Sequence, residues 1–146
     1  IHEYLLEKGV KLEAVEGTKY VYHDPCHTPI KNYDPTKLTS DLMGQDVMLS
    51  DRCCGEAGTF AVSRPDIASQ LRFKKEESLV EARDQLINGA AAKDDKVKIL
   101  TNCPACQQGL SRYADDTGMD TDYIVVEMMK HLHGEKWHNY FFERVT

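Results

Sequence analysis

Short β-type runs alternate with helical patterns along this chain, and this alternation restricts most strongly the folds that the chain can adopt. The runs typical of strands are Lys19–His23, Asp46–Ser50, Val97–Leu100 and, as a possible fourth, Tyr123–Val126. The helical patterns cover residues 2–8, 64–88, 104–114 and 127–133. Strands that alternate with helices favour a parallel sheet covered on both faces. We therefore predict a single-domain α/β fold with a three- to four-stranded, mainly parallel sheet flanked by helices.

The segment 64–88 carries the clearest helix boundaries. Ser63 has the side chain of an N-cap, Pro65 suits the first turn, and Gly89 suits the C-terminal end. One apolar stripe follows the helical period, through Ala68, Leu71, Leu79, Ala82 and Leu86. We expect this long helix to bury the stripe against the sheet.

All five cysteines directly follow predicted strands. Cys26 comes after the first strand, the pair Cys53 and Cys54 after the second, and Cys103 with Cys106 after the third. In parallel α/β folds, sites form outside the carboxyl ends of the strands. We therefore expect the five thiols to gather into one site at that edge of the sheet.

Local signals around the cysteines favour thiolates. Pro104 at the start of a helix places Cys103 near the N-cap and Cys106 in the first turn, where the helix dipole and free N–H groups lower thiol pKa values. Gly55 permits a sharp turn after the adjacent pair. A CxxC motif by itself is also typical of a redox pair or of half a zinc site. The three clusters together favour a metal or iron–sulfur site.

Composition narrows the class of protein and its partners. The 41% hydrophobic and 29% charged residues are those of a soluble globular protein, and the net charge of −6 argues against nucleic acid as a partner. No apolar run approaches the roughly 20 residues of a membrane span. An odd number of cysteines in an acidic chain favours reduced thiols over a disulfide scaffold, so we expect a cytoplasmic location. Because the sequence opens at Ile1 and enters a helical pattern at once, we expect a fragment of a longer polypeptide.

Taken in order, the motifs YHDPCH, CCG and CPAC resemble the cysteine-rich CCG domain over nearly the whole chain, 1–146. That domain occurs in heterodisulfide reductases, in the iron–sulfur subunits of glycolate and lactate oxidoreductases, and behind FAD-linked oxidases. The run CCGEAGTF is most similar to the hydroxyacid-oxidoreductase branch. The resemblance implies an α/β domain that binds an iron–sulfur cluster, in some members a non-cubane 4Fe–4S pair. The ligands that it implies are Cys26, Cys53, Cys54, Cys103 and Cys106.

Three polar residues are candidates for an outer shell around these ligands. His23 and His27 flank Cys26 and are interpreted either as ligands or as donors to cluster sulfur, with backbone satisfaction at the strand end as the alternative for His23. Lys75 falls on the apolar stripe of segment 64–88. We interpret it as a lysine whose ammonium reaches solvent, with compensation of thiolate charge as the alternative. The aromatic C-terminal run EKWHNYFFERV is expected to cover the domain or to dock on a missing partner.

These observations lead to a functional hypothesis. We expect an iron–sulfur electron-transfer domain in the C-terminal region of a flavin-linked 2-hydroxyacid oxidoreductase, inactive as an isolated fragment. FAD would lie on another domain or subunit, and the partners would be flavin-containing domains, further iron–sulfur domains and an electron acceptor. The parent complex would provide any membrane association. The alternatives are thiol–disulfide chemistry of the heterodisulfide reductase kind and a structural zinc domain, with zinc also able to replace the cluster in the isolated domain.

Overall fold

Four parallel strands form the centre of the fold, in the order β2-β1-β3-β4. The computed structural model describes residues 1–56, 59–89 and 95–145. The strands are β1 (Thr18–Tyr22), β2 (Met48–Leu49), β3 (Lys96–Thr101) and β4 (Thr121–Tyr123). The helices are α1 (His2–Glu7), α2 (Pro35–Met43), α3 (Phe60–Ser63), α4 (Pro65–Gly89), α5 (Pro104–Ser111), α6 (Ala114–Thr117), α7 (Ile124–His133) and α8 (Trp137–Val145). The predicted α/β fold with a parallel sheet flanked by helices is confirmed.

Successive side chains of the sheet enter two separate cores, as the period of a strand requires. On one face Tyr20, Tyr22 and Leu100 pack with helical residues that include Leu38, Leu42, Ile124 and Met128. On the other face Val21 and Ile99 pack with helical residues that include Leu79, Ala82, Leu86 and Leu110. Helices therefore cover both faces, and the loops at the carboxyl ends of the strands remain available for a site.

The predicted strands differ from the observed ones at their ends. β1 ends at Tyr22, so His23 lies just beyond it, although its backbone N–H still donates to the carbonyl of Leu100. β2 contains only two residues and pairs with β1 alone, at the edge of the sheet. The bounds of the predicted fourth strand, Tyr123–Val126, are wrong, because β4 ends at Tyr123 and α7 begins at Ile124. The apolar residues after Tyr123 belong to a helix that buries Ile124 and, one turn later, Met128.

Helix boundaries show similar shifts. Ser63 is not the N-cap of the long helix, because it closes the short helix α3 and α4 begins at Pro65. The pattern over 104–114 divides into α5 and the start of α6. Helix α2 was not predicted, although Asp34 caps it by accepting the Lys37 N–H at 2.8 Å and Pro35 occupies its first turn.

The aromatic tail forms helix α8, which contacts α7 and contributes no buried residue. Tyr140, Phe141 and Phe142 are about half exposed. Of the two expectations for the tail, coverage of the domain is therefore wrong, and docking on a partner remains a prediction. Among the residues that the structure describes, no helix is both long enough and apolar enough to cross a membrane.

Candidate metal centre

Three parallel strands deliver the cysteines to one edge of the sheet. Cys26 lies four residues beyond the end of β1, Cys53 and Cys54 follow β2, and Cys103 and Cys106 follow β3. One cleft of about 300 Å³ is lined by all five, together with Pro25, His27, Glu56 and Ala105. The gathering of the cysteines at the carboxyl ends of the strands is thus observed, because parallel pairing aligns those ends.

The five thiols differ in exposure, from buried in the protein interior to open to solvent. Cys54 and Cys106 are buried, and their Sγ atoms share a hydrogen bond of 3.3 Å. Cys103 is half-buried beside Cys106, whereas Cys26 and Cys53 are exposed and lie next to each other. Sulfur donors therefore line the cleft from its floor to its rim.

The turn after the adjacent pair depends on Gly55. Its φ of +75° lies in the left-handed region, which a residue with a side chain adopts only with strain. The same residue donates its backbone N–H to Cys53 Sγ at 3.3 Å. This turn allows Cys53 to reach the rim of the cleft while Cys54 points to its floor.

Helix α5 begins between the last two cysteines. Cys103 is its N-cap, Pro104 is its first residue, and Cys106 lies in its first turn, as the sequence predicts. The N–H groups and the dipole of this helix end place positive partial charge beside these two sulfurs.

Charge on the thiols is strongly coupled. The hydrogen bond shared with Cys106 and the nearby imidazole of His23 lower the pKa of Cys54 despite its burial. The same contact with Cys54, together with burial, raises the pKa of Cys106. The negative charge of Cys53 raises the pKa of Cys26. The site therefore favours a thiolate at Cys54 and disfavours a second negative charge on Cys106 beside it.

A buried ammonium lies behind the cysteines. Lys75 is completely buried, so the interpretation that its ammonium reaches solvent is wrong. Its Nζ contacts His23 Nδ1 at 3.0 Å, Ser50 Oγ at 2.8 Å and the Ser50 carbonyl oxygen at 3.2 Å. Burial lowers the pKa of Lys75 to about 8, against the opposing attraction of thiolates led by that of Cys54. A cation at this position offsets negative charge in the cleft.

The two histidines beside Cys26 occupy different environments. His23 is buried, and a ring nitrogen of His23 lies within 4.8 Å of the sulfurs of both Cys54 and Cys106. His27 is exposed and forms part of the cleft wall. A role for His23, His27 or Lys75 toward a bound metal remains a prediction.

Two residues of the site were missed from the sequence. Ser50 is buried at the end of β2, where it accepts from Lys75, and its position just after a strand was the available signal. Glu56 lines the cleft and pairs with Arg112. Glu56 also packs over Gly109, where an added Cβ would clash with Glu56 Cγ. Gly109 on α5 thus leaves room for Glu56 to form one wall of the cleft.

The donor set matches a thiolate-bound metal. Thiolates are soft ligands that select iron–sulfur clusters, zinc or copper(I), and these five sulfurs converge with a buried cation nearby. His23, Cys54 and Cys106 bring three donor atoms within 4.8 Å of one another. The residues present therefore fit an iron–sulfur cluster, and four of them would also suffice for zinc.

Comparison with known proteins adds a family assignment. The family described as "Cysteine-rich domain" (CCG) matches residues 20–111, and the family described as "Domain of unknown function (DUF3400)" matches residues 111–146. The first match includes every cysteine of the chain and most of the sheet. No solved structure matches the chain significantly.

Three curated relatives match between 58% and 82% of the chain. The chain is 35% identical over 91 residues to the glycolate oxidase iron-sulfur subunit of Escherichia coli, covering 58% of this chain and 22% of the relative. It is 27% identical over 128 residues to a subunit of the fumarate reductase (CoM/CoB) of Methanothermobacter marburgensis, covering 82% and 23%. It is 32% identical over 90 residues to lactate utilization protein A of an Exiguobacterium species, covering 58% and 35%. The chain thus spans from 22% to 35% of the length of these relatives.

Proposed function

Because this chain belongs to the cysteine-rich CCG domain family, we propose that it is an iron–sulfur electron-transfer domain of a larger oxidoreductase. The observation that carries the proposal is the convergence of five thiols, from three strand ends, on one cleft. Cys26, Cys53, Cys54, Cys103 and Cys106 would hold the cluster. When bound, an iron–sulfur cluster supplies one-electron redox chemistry at a potential set by its surroundings.

The chain's own residues would prepare the site for this group. The N-terminus of α5 places positive partial charge beside Cys103 and Cys106, and Gly55 N–H donates to Cys53 Sγ. The buried ammonium of Lys75 offsets part of the negative charge that thiolates and sulfides bring. The exposed rim at Cys26 and Cys53 leaves one side of the cleft open toward an electron partner.

A more specific proposal concerns the larger oxidoreductase to which the domain would belong. The names of two relatives include glycolate oxidase and lactate utilization, which supports a flavin-linked oxidoreductase for a 2-hydroxyacid. Oxidation of a 2-hydroxyacid to its 2-oxoacid releases two electrons and two protons. FAD on another domain or subunit would take these electrons from the substrate, and a quinone, a cytochrome or a further iron–sulfur centre would finally accept them. We place the domain in the cytoplasm, in contact with the other subunits of its complex.

A second candidate is thiol–disulfide chemistry at the cluster. The fumarate reductase (CoM/CoB) among the relatives and the exposed sulfurs of Cys26 and Cys53 favour it. A structural zinc domain is the third candidate. Zinc closes a tetrahedral site with four ligands and leaves a fifth thiol free, so the number of protected thiols separates zinc from a cluster that uses all five.

The test is anaerobic reconstitution of the 146-residue chain with iron and sulfide. We expect brown visible absorbance, stoichiometric iron and acid-labile sulfide, and protection of all five thiols from alkylation. Cys54→Ser and Cys103→Ser should each abolish the absorbance. Circular dichroism of these metal-free variants should remain close to that of the unaltered chain, because two apolar cores stabilise the fold without metal.

Ala105→Ser is the matched control, because it adds a hydroxyl to the cleft wall without removing a thiol. It should reconstitute like the unaltered chain. Preferential binding of zinc with one alkylatable thiol would contradict the proposal. A metal-free chain as unfolded as a zinc finger stripped of its metal would contradict the stability argument.

A further inference from the structure

The ammonium of Lys75 has all three of its N–H donors matched by neighbouring acceptors. The acceptors are the Ser50 carbonyl oxygen at 3.2 Å, Ser50 Oγ at 2.8 Å and His23 Nδ1 at 3.0 Å. An ammonium has three donors and no lone pair, so none of these contacts can run in the opposite direction. When Lys75 is protonated, its nitrogen therefore has no N–H group left for a further hydrogen bond.

This arrangement determines where the proton of the neighbouring imidazole lies. A neutral imidazole carries one proton, and its other nitrogen accepts. Because Nδ1 of His23 accepts from Lys75, the proton of the neutral ring must be on Nε2. Nε2 is buried and has no hydrogen-bond partner among the residues that the structure describes.

The groups that face this ring are sulfurs. One ring nitrogen of His23 and the Sγ atoms of Cys54 and Cys106 all lie within 4.8 Å of one another. An Nε2–H group can donate to a thiolate or sulfide sulfur, but a nitrogen that carries a proton has no lone pair left to bind a metal. Lys75, on the other side of the ring, thus determines whether His23 acts as a metal ligand or as a hydrogen-bond donor to sulfur.

We infer that Lys75 and His23 form a buried relay in which Lys75 fixes His23 as a hydrogen-bond donor to sulfur and prevents it from serving as a metal ligand. The effect of this pair on a reduction potential rests on the proposed function, since it requires a bound cluster. Hydrogen bonds and positive charge near cluster sulfurs favour the more electron-rich, reduced state. Lys75 is accordingly a positioning residue. It does not touch the metal, and it acts through the imidazole and through its charge.

The first test requires no cluster. The unaltered chain is prepared without metal, kept reduced and labelled with nitrogen-15 at histidine. Long-range proton–nitrogen NMR correlations then identify the tautomer of His23. His23→Gln supplies the assignment. We expect the Nε2–H tautomer. Observation of the Nδ1–H tautomer would overturn the inference whether or not the chain binds iron.

The second test uses the reconstituted protein. Pulsed electron paramagnetic resonance of the reduced cluster should show nitrogen coupling too weak for a directly bound histidine. Lys75→Met should shift the reduction potential to a more negative value, because it removes a cation and releases the ring. Lys74→Met is the matched control, since Lys74 is the exposed neighbour on the same helix, and it should leave the potential unchanged.

Strong nitrogen coupling in the unaltered protein, or equal potentials for Lys75→Met and Lys74→Met, would overturn the inference. If Lys75→Met does not fold, the tautomer and the nitrogen coupling of the unaltered chain still decide the question. A chain that binds no cluster but shows the Nε2–H tautomer would contradict the proposed function while leaving the relay intact.

Discussion

Lys98→Met tests how the chain stabilises a buried carboxylate on the face of the sheet that contacts α7. The side chain of Glu127 is 5% exposed, and its carboxylate accepts from Lys98 Nζ at 2.6 Å and from the Tyr20 hydroxyl at 2.9 Å. His131 Nε2 lies 3.3 Å from the same carboxylate. These contacts join β1, β3 and α7, so their loss should lower the free energy of unfolding.

The magnitude follows from the partners that remain. Removing one member of a buried ion pair costs about 3–5 kcal/mol when the other charge is left uncompensated. Here Tyr20 and His131 still face the carboxylate, and Lys98 is itself 18% exposed. We therefore expect a loss of about 2–3 kcal/mol near pH 7, below the full range for an isolated charge.

The loss should depend on pH. In the unaltered chain burial pushes the pKa of Glu127 upward, but Lys98 and Tyr20 outweigh burial, so the pKa lies below 4.5. This stabilisation is present above pH 4.5 and is lost as pH falls through the folded pKa. In Lys98→Met burial is less opposed, so we expect the pKa of Glu127 to be higher than in the unaltered chain and ionisation of the carboxylate to stabilise the variant less. The difference between the two proteins should therefore widen as pH rises from about 4 to about 7.

Urea unfolding followed by circular dichroism at both pH values measures this difference. Lys96→Met is the control, because Lys96 is an exposed residue of the same strand, and it should change stability little. A loss below about 1 kcal/mol near pH 7 would refute the assigned role of the pair. An equal loss at both pH values would refute the linkage to Glu127.

Two further predictions concern the cleft. Gly109→Ala should displace Glu56 from the cleft wall and lower stability by about 1–3 kcal/mol, because the added Cβ would clash with Glu56 Cγ. Gly89→Ala, where a Cβ meets nothing within 4 Å, is the control in urea unfolding. Equal effects of the two changes would argue against the clash. Oxidation of the metal-free chain with diamide, which accepts two electrons and two protons, should first join Cys54 and Cys106, whose sulfurs are 3.3 Å apart. Peptide mass mapping identifies the bond, and a first disulfide between any other pair would contradict the observed geometry.

The order of strands and cysteines was sufficient to predict the sheet and the place where the thiols gather. Each cysteine cluster follows an apolar run, and the carboxyl ends of parallel strands share an edge, so no distance information was needed. The environment of Lys75 was not predictable in the same way. A lysine on an apolar helical stripe can extend to solvent or remain inside, and here the acceptors that keep it inside come from the ends of β1 and β2.

The error at the fourth strand has a similar origin. Ile124 and the two valines after it are β-branched, which favours a strand locally. In the fold Ile124 and Met128 are both buried at the spacing of one helical turn. Packing against the sheet, which a local pattern does not contain, decided between the two structures.

The parallel topology also determines when a cofactor can enter. Cys54 and Cys106 meet across 52 residues of sequence, and their contact requires that β1 pair with both β2 and β3. Such long-range pairings form late and slowly, because loop closure must precede the contacts that compensate for it. A zinc finger, by contrast, gathers ligands that are close in sequence, so that its metal organises the chain. In this domain the order is reversed: the chain must fold before the thiols can act as one binding site, so the proposed cofactor would enter a chain that is already folded.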